Sequence, residues 1–418
     1  MNENVANKGD LGALVEQLYF HCDSSNSPEP DFPQAGVEMK TTGVLKRDGK
    51  YVAKERLVLS MIDYHQIVLE EWETSTFIKK CGLMLLIFYL YEKDKAVFDR
   101  KFVPAPKLFS FPESDLPQLI MDWEAIRDKV KSGRAHELSE GDTFYLSACR
   151  KGSGGEREKL RSQPFSDMGA KSRAFSLKQK YVNRILDESS TSNELLAGHS
   201  GAGIEGATRS RVSKYLGMSV ADIASHLNEA RGGANDKLFY RRLAVGMLGG
   251  SGRSVAELDR ADVELKTVRV KADWAPKESM SFPGFKYLDL INEQWEDSSF
   301  CQKLNKKFLF VVFRMGDDHV ERLEAVFFWT MPYDDRLEAR RVWELTKEHV
   351  GIDARFLPTS ADSRVAHVRP KAANGNDKIE TPQRTFLVKK CFWLNAGYIK
   401  EVILANAQNS PSFDSRHR

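Results

Sequence analysis

An internal repeat constrains the fold of this 418-residue chain more than any other feature. The run Glu70–Phe77 (EEWETSTF) is echoed by Glu293–Phe300 (EQWEDSSF), and an apolar run follows each copy, first Leu83–Leu90 and then Phe308–Phe313. A basic segment and an Arg-x-Phe element come late in each half. Matched order in both halves indicates a duplicated domain. We therefore expect two copies of one fold in a single chain, as in a pseudo-dimer.

Each half mixes helical and extended patterns. Asp10–Phe20 has the cap residue and apolar spacing of an amphipathic helix, and Ala174–Leu186 also has a helical pattern. Gly141–Ser147 is predicted to be a strand. The apolar run Cys81–Tyr91 is too short to cross a bilayer and predicts a buried central strand. The mixture predicts the α/β class, with a mixed sheet flanked by helices in each half and no membrane span.

Composition indicates where the two domains meet. Residues 187–210 are rich in small polar residues and glycine, as flexible connections are. We therefore predict an N-terminal domain over residues 1–190, a linker over 191–210 and a C-terminal domain over 211–407. The polar residues 408–418 are predicted to form a disordered tail.

Charge and cysteine content limit the possible partners and sites. The chain has 62 Lys and Arg against 59 Asp and Glu, and the net charge of +3 neither requires nor excludes a nucleic-acid partner. Its 5 cysteines are scattered without a CxxC pair. This pattern argues against a zinc site and a disulfide framework, and it favours a reducing cytoplasm.

The segment Pro30–Lys40 (PDFPQAGVEMK) carries the groups of a metal-dependent nuclease. On a strand, Glu38 and Lys40 share one face while Met39 points to the other. A Pro-rich bend can return Asp31 to the side of that strand. Two close carboxylates can hold Mg²⁺, which polarises a phosphodiester and lowers the pKa of bound water. Lys40 can orient or deprotonate that water and offset charge on the phosphate.

The pattern alone leaves other interpretations open. A Glu-x-Lys sequence on a strand is often a solvated face, and so short a pattern is common in unrelated chains. Glu16, on the preceding helix, is either a fourth member of the site or a surface residue of its helix.

A family resemblance adds context to these residues. Segments of both halves resemble MutH, the strand-nicking endonuclease of mismatch repair, and others resemble the MutH-related type II restriction endonucleases that cut at GATC (the Sau-three-A-I type). The MutH-like segments are Lys8–Gly12, Leu14–Glu16, Asp31–Pro33, Gly36–Thr41, Trp72–Ser75, His367–Asn374 and Phe386–Lys390. The segments like the restriction enzymes are Lys54–Leu59, Ala135–Gly141 and Ala170–Lys178. The resemblance covers nearly the whole chain and implies two tandem MutH-like domains of the PD-(D/E)xK restriction-endonuclease fold.

The resemblance implies roles for residues of the first half. The implied catalytic set is Glu16, Asp31, Glu38, Lys40 and Lys80. Of these, Asp31 and Glu38 would hold Mg²⁺ together with the backbone carbonyl of Met39. Lys80 matches a basic residue near the family's active site, although Lys79 could serve instead.

The resemblance also implies positions that contact DNA. Glu55 and Lys151 fall where the family reads base edges, and a lysine facing guanine with a carboxylate facing cytosine is a sound pairing. Taken alone, Lys151 in a Gly/Ser loop is more often solvated. Ser176 stands where MutH has a tyrosine facing adenine, so we expect that adenine methylation does not block cutting. The expected DNA-binding set is Glu55, Lys151, Arg173, Ser176, Lys178, Arg369, Lys371 and Lys389.

The second half departs from the catalytic pattern. Glu264 and Lys266 keep the strand motif, but Glu257 replaces the upstream aspartate and Val245 replaces the helix glutamate. We therefore expect an inactive DNA-binding domain. A second, weak nuclease centre is the alternative, because Glu264 and Lys266 are kept. Ser219–Leu227 resembles the N-terminal arm of MutH, although by itself it could be part of a helix-turn-helix.

The residues and the resemblance together predict a Mg²⁺-dependent type II restriction endonuclease that hydrolyses duplex DNA at GATC and leaves 5′-phosphates. The first half would cut, and the second would bind an effector copy of the site. With one centre per chain, cutting both strands needs a homodimer on DNA or two sequential nicks. A cognate methyltransferase would be the functional partner. The alternatives are a MutH-like nicking endonuclease of mismatch repair and a non-catalytic GATC-binding protein.

Overall fold

The computed structural model describes residues 10–21, 28–93, 95–96, 99–152, 159–187, 202–233, 236, 238–252, 254–372 and 374–407. The strands are β1 (Glu38–Arg47), β2 (Lys50–Ala53), β3 (Leu57–Met61), β4 (Leu83–Leu90), β5 (Lys107–Ser110), β6 (Leu146–Arg150), β7 (Arg161–Gln163), β8 (Ser166–Ala170), β9 (Arg173–Leu177), β10 (Glu264–Val270), β11 (Met280–Gly284), β12 (Phe308–Met315), β13 (Glu321–Trp329), β14 (Ala366–Pro370), β15 (Lys378–Glu380), β16 (Phe386–Val388) and β17 (Lys390–Leu394). The helices are α1 (Asp10–Leu18), α2 (Tyr64–Ile67), α3 (Thr76–Cys81), α4 (Leu116–Lys131), α5 (Gln179–Leu186), α6 (Gly203–Ser213), α7 (Val220–His226), α8 (Phe239–Met247), α9 (Ala256–Arg260), α10 (Tyr287–Leu290), α11 (Ser299–Leu304), α12 (Tyr333–Asp353) and α13 (Ala396–Ala407). Single 3₁₀ turns cover Trp72–Thr74, Ala135–Glu137, Glu140–Asp142 and Trp295–Asp297. The predicted tail, 408–418, and residues 191–201 of the predicted linker lie outside the described residues.

The chain divides into two units. The first contains Met1–Ile204 and Ala256–Asp262, and the second contains Glu205–Val255 and Val263–Arg418. The segment around α9 therefore packs with the first unit, although it lies within residues 211–407 of the sequence-based division. Helix α6 begins at position 203, inside the segment predicted to be a linker.

The first unit contains a mixed sheet with the strand order β2-β1-β4-β5. Strands β1 and β4 run parallel in its centre, and β2 and β5 pair antiparallel at its edges. The apolar sequence of β4 explains its inner position, since Met84 and Leu86 are fully buried. A second, antiparallel sheet has the order β3-β9-β6, and α4 packs against it through buried residues such as Trp123. Each sheet is thus accompanied by helices, as predicted.

The second unit repeats this order of elements. In its sheet β10-β12-β13, the first strand, β10, pairs in parallel with the apolar strand β12, as β1 does with β4. Its sheet β11-β17-β14 has the same strand arrangement as β3-β9-β6. In both units a 3₁₀ turn that starts at a tryptophan precedes the short helix before the apolar strand. A long helix, α4 or α12, then leads to the second sheet. The repeated motifs therefore occupy the same elements in both halves.

Two of the predicted elements differ from the structure. Ala174–Leu186 was predicted to be helical, but its first residues belong to strand β9 and the helix α5 starts only at Gln179. Strand β9 has partners on both edges, β3 and β6, so tertiary pairing overrides the local helical pattern. The predicted strand Gly141–Ser147 begins inside a 3₁₀ turn that Ser139 closes with a capping box, and β6 begins only at Leu146.

The cysteines of the described residues lie in the interior. Cys81, Cys149, Cys301 and Cys391 are free, buried thiols. Among the described residues, no helix has the length and apolar character needed to cross a membrane.

Candidate active site

Strand β1 brings the two charged residues of the Glu-Met-Lys motif to one face. The strand begins at Glu38 and runs parallel to β4, so that Glu38 lies opposite Met84 and Lys40 opposite Leu86. Met39 is only 3% exposed and belongs to the core, as the alternation of a strand requires. On the other face, Lys40 Nζ lies 2.5 Å from Glu38 Oε1.

A tight loop returns Asp31 to the start of this strand. Phe32 and Val37 exchange two backbone hydrogen bonds, with N···O distances of 2.9 and 3.2 Å. Gly36 turns the loop with a φ of +64°, which a side chain would strain. The N–H of Asp31 then donates to Glu38 Oε2 at 3.1 Å, and the N–H of Met39 donates to Asp31 Oδ2 at 2.9 Å. These reciprocal bonds fix the two carboxylates relative to one another.

Glu38 is a buried acid beside two cations. Its side chain is 2% exposed, and Lys80 Nζ lies 3.7 Å from Oε2, on the opposite carboxylate oxygen from Lys40. Burial raises the pKa of Glu38, and the charge and hydrogen bond of Lys40 act to lower it. Glu38 therefore depends on neighbouring cations to stay ionised.

Helix α3 positions Lys80. Ser75 caps this helix: its hydroxyl accepts a helix N–H at 3.2 Å and donates to the carbonyl of Trp72 at 2.8 Å. The Trp72–Ser75 motif thus explains why the helix starts where it does. Lys79 is exposed, whereas Lys80 is half-buried and contacts Glu38. Of the two predicted candidates, the structure brings Lys80 to the site.

Helix α1 packs next to strand β1. A Cβ at Gly12 would lie 3.2 Å from Thr41 Oγ1, so this glycine permits the close approach. Leu11 and Tyr89 form a small buried cluster beneath the helix. Glu16 follows Gly12 by one turn, which puts both residues on the same helix face, and Glu16 is half-buried.

Cys81 is a neighbour of the site that the sequence analysis missed. Its side chain is fully buried, and burial raises the pKa of the thiol to about 12. The charges of Lys40 and Glu38 also act on this thiol, in opposite directions. Cys81 therefore stays protonated and is an uncharged, buried neighbour of the Glu38 carboxylate. No sequence motif marks Cys81, because its position depends on how α3 packs.

The donor set at this strand fits Mg²⁺. Asp31 and Glu38 offer carboxylate oxygens, the hard ligands that Mg²⁺ prefers, and hydrogen bonds hold both in place. Within the described ranges, no group of three or more His, Cys, Asp or Glu residues could hold a metal ion. A two-carboxylate site suits Mg²⁺, which usually keeps several waters. The carbonyl of Met39 stays a predicted ligand.

Two predicted base-reading residues lie at the ends of strands. Glu55 is half-buried in the turn between β2 and β3. Lys151 directly follows β6, its side chain is exposed, and its N–H donates to the carbonyl of Ser172 at 2.9 Å. The backbone of Lys151 is thus anchored while its ammonium group can reach a ligand.

Two predicted DNA contacts, Ser176 and Lys178, are internal, contrary to the prediction from the sequence, and Arg173 is half-buried. Ser176 is fully buried on β9, with its hydroxyl 3.0 Å from that of Ser147. Lys178 is 7% exposed and donates to backbone carbonyls at 2.7 and 3.1 Å. The guanidinium of Arg173 donates to two carbonyls at 3.0 and 2.5 Å, and burial lowers its pKa. The argument that Ser176 leaves room for a methylated adenine therefore loses its basis.

In the second unit, lysines surround the remaining carboxylate. Glu264 lies opposite Phe308 in the parallel pair, the register that Glu38 has in the first unit. Lys303 hydrogen-bonds to Glu264, and Lys266 Nζ lies 3.5 Å from it. Burial alone would raise the pKa of Glu264, but the hydrogen bond from Lys303 and the nearby ammonium charges lower it to about 2. Ammonium groups thus hold this carboxylate in its ionised form.

The other acidic positions of the second half are lost or used elsewhere. Val245, at the place of the helix glutamate, is buried on α8. Glu257 belongs to the first unit, where its carboxylate is buried 3.7 Å from the guanidinium of Arg260. Val245 carries no carboxylate, and Glu257 pairs with Arg260.

The predicted basic residues near the end of the second unit differ in their surroundings. Arg369 is exposed and stacks over the ring of Trp393, 4.4 Å from its centroid. Lys371 donates to a backbone carbonyl at 2.7 Å. Lys389 is 45% exposed and lies 2.6 Å from a carboxylate oxygen of Asp377. Arg369 therefore offers an exposed, planar guanidinium for a contact with a nucleic acid.

The chain is similar to two groups of known proteins. The family model described as "DNA mismatch repair enzyme MutH" matches residues 20–122 and 250–340, one segment in each half. The type II restriction enzyme Sau3AI of Staphylococcus aureus is 31% identical over 95% of this chain and 92% of its own length. The mismatch repair protein MutH of Shewanella woodyi is 30% identical over 33% of this chain and 59% of its own length. MutH of Enterobacter sp. strain 638 is 28% identical over 43% of this chain and 76% of its own length.

Proposed function

The chain belongs to the MutH-related type II restriction endonucleases, the group of Sau3AI, and we propose that it hydrolyses duplex DNA at GATC sites in a Mg²⁺-dependent reaction. The observation that carries the proposal is a pair of hydrogen bonds. The N–H of Asp31 donates to the Glu38 carboxylate, and the N–H of Met39 donates to the Asp31 carboxylate. With Lys40 at 2.5 Å from Glu38, these bonds assemble two carboxylates and an ammonium on one strand end. The proposed products carry 5′-phosphates.

Each residue of this site has a defined task in the proposed reaction. When bound by Asp31 and Glu38, Mg²⁺ would polarise the scissile phosphodiester and lower the pKa of a bound water. Lys40 orients the attacking water and takes up its proton when neutral. Lys80, 3.7 Å from Glu38, offsets the negative charge that builds on the phosphate. Glu16, on the helix face that packs against β1, completes the proposed catalytic set.

The two units have different proposed tasks. Residues 1–190 cut, whereas residues 211–407 bind a second, effector copy of the site and lack a working centre. The valine at position 245 and the pairing of Glu257 with Arg260 support this division. Cutting both strands then requires two chains on the DNA or two sequential nicks. A cognate methyltransferase that protects the host sites and a cytoplasmic location complete the proposal.

Plasmids with and without GATC sites test the proposal directly. We expect cutting of the GATC plasmid alone, and only with Mg²⁺. The ends should ligate without prior 5′-phosphorylation. Glu38→Ala should abolish cutting, whereas Lys46→Ala, an exposed residue of the same strand, should not. Residual cutting by Glu38→Ala would indicate a second nuclease centre. Absence of any Mg²⁺-dependent cutting by the unaltered chain would overturn the proposal.

A further inference from the structure

Three lysines form a cationic site around Glu264 in the second unit. Lys303 hydrogen-bonds to Oε1, Lys266 Nζ lies 3.5 Å from Oε2, and Lys306 Nζ lies 4.0 Å from Oε1. The guanidinium of Arg241 approaches the same strand and donates to its backbone at 3.3 Å. We call Lys266, Lys303 and Lys306 the lysine cluster.

The lysine cluster carries more positive charge than its single carboxylate balances. Around Glu38, Lys40 and Lys80 lie beside a carboxylate that is bonded to the loop of Asp31. Around Glu264, one carboxylate faces three ammonium groups, which leaves an excess of two positive charges. The cluster therefore attracts an anion through side chains alone.

The sequence explains how the cluster arises on the shared fold. Lys303 matches Lys80, since each is the fifth residue of the short helix before the central strand. Lys306 has no such counterpart. It stands two residues before the strand partner of Glu264, where the first unit has Gly82. The substitution thus adds an ammonium 4.0 Å from Glu264 Oε1, where the first unit has only a glycine.

We propose that the lysine cluster binds a phosphodiester of the duplex DNA backbone without a metal ion. The inference rests on the proposed function, in which the second unit holds an effector DNA site. Lys303 and Lys306 have side chains that are 36% and 24% exposed, so a phosphate oxygen can reach both. A lysine ammonium binds phosphate as a point charge that needs no fixed orientation. Glu264 holds the three ammonium groups together in the absence of DNA.

Binding of a GATC duplex by the full chain in EDTA tests the proposal. A Lys303→Ala/Lys306→Ala double variant should bind about tenfold more weakly, and the slope of log K against log salt should fall by about 2, roughly one per lost lysine contact. Lys286→Ala is the matched control, because this lysine also pairs with one carboxylate but is 77% exposed. Fluorescence anisotropy over a salt series measures both quantities, and thermal melting confirms that each variant is folded. An unchanged affinity and slope in the folded double variant would overturn the proposal.

Glu264→Gln separates a lysine site from a second metal site. Neutralising the carboxylate raises the excess of positive charge from two to three. We therefore expect several-fold tighter binding in EDTA and a steeper dependence of binding on salt. If Glu264 were instead a metal ligand, the variant would bind as before in EDTA and would lose any gain from Mg²⁺. That second outcome contradicts the proposal.

The source of the phosphate can be tested by calorimetry. At equal ionic strength, we expect lysine-dependent binding of the GATC duplex and no lysine-dependent binding of inorganic phosphate. The reverse result would show a free-phosphate site and refute the assignment to DNA. Cutting of the GATC plasmid reports the proposed function separately. If the protein cuts but binds DNA independently of the lysine cluster, only this inference is refuted. If binding depends on the lysines but the protein never cuts, only the proposed function is refuted.

Discussion

Replacing Lys40 by methionine distinguishes two roles of this residue. Its ammonium lies 2.5 Å from Glu38, and its side chain is only 19% exposed, so water screens the pair incompletely. Lys80, at 3.7 Å, remains as a second and weaker cation. Methionine keeps an apolar stem of similar length without the charge. Lys40→Met should therefore act on the ionisation of Glu38 and on the attacking water.

The two effects differ in their pH dependence. The charge and hydrogen bond of Lys40 lower the pKa of Glu38, so removing them should raise a pKa that burial has already raised. Protonated Glu38 is a poor metal ligand, and cutting is lost as pH falls through its pKa. The acid limb of the rate profile should thus move to higher pH in the variant. Losing a group that handles the water's proton should also cost about 10²–10⁴ in rate at every pH.

Single-turnover cutting of a GATC plasmid with Mg²⁺, measured from neutral to alkaline pH, checks both effects. Lys46→Met on the exposed part of β1 is the control and should match the unaltered chain. Recovery of the full rate at alkaline pH would show that Lys40 serves only to keep Glu38 ionised. A rate within tenfold of the unaltered chain at all pH values would refute both roles.

Two further predictions concern the first unit. Asp122 is buried and accepts the N–H groups of residues 144–146 at 2.6 to 2.9 Å, so Asp122→Asn should lower the free energy of unfolding by about 2–4 kcal/mol. Denaturant unfolding measures the loss, with the 61%-exposed Asp128→Asn as a control that should change little. Because Lys178 is buried and donates to internal carbonyls, Lys178→Met should reduce the melting temperature while leaving the GATC affinity of the folded protein unchanged. The 45%-exposed Lys180→Met is its control, and a loss of affinity at unchanged melting temperature would return Lys178 to the DNA-binding set.

The sequence predicts those parts of the site that depend on local geometry. The strand period places Glu38 and Lys40 on one face, and a short loop needs only Gly36 and its neighbours to return Asp31. Residues 30–40 could therefore be interpreted without the rest of the chain. The burial of Ser176 could not be predicted in this way, because it depends on the sheet that β9 forms with β3 and β6, and both strands are distant in sequence. The same limit applies to Cys81, whose position behind the carboxylate follows from the packing of α3 rather than from any motif.

A Glu-x-Lys motif cannot by itself distinguish a nuclease centre from a phosphate-binding site. Both units present it in the same register of a parallel strand pair. The difference lies in the partner that the preceding segment delivers. In the first unit a closed loop delivers the carboxylate of Asp31, whereas the segment before β10 belongs to the first unit and commits Glu257 to Arg260. With Glu257 paired to Arg260, additional lysines are the simplest way to keep the half-buried Glu264 ionised, and the same lysines attract a phosphate.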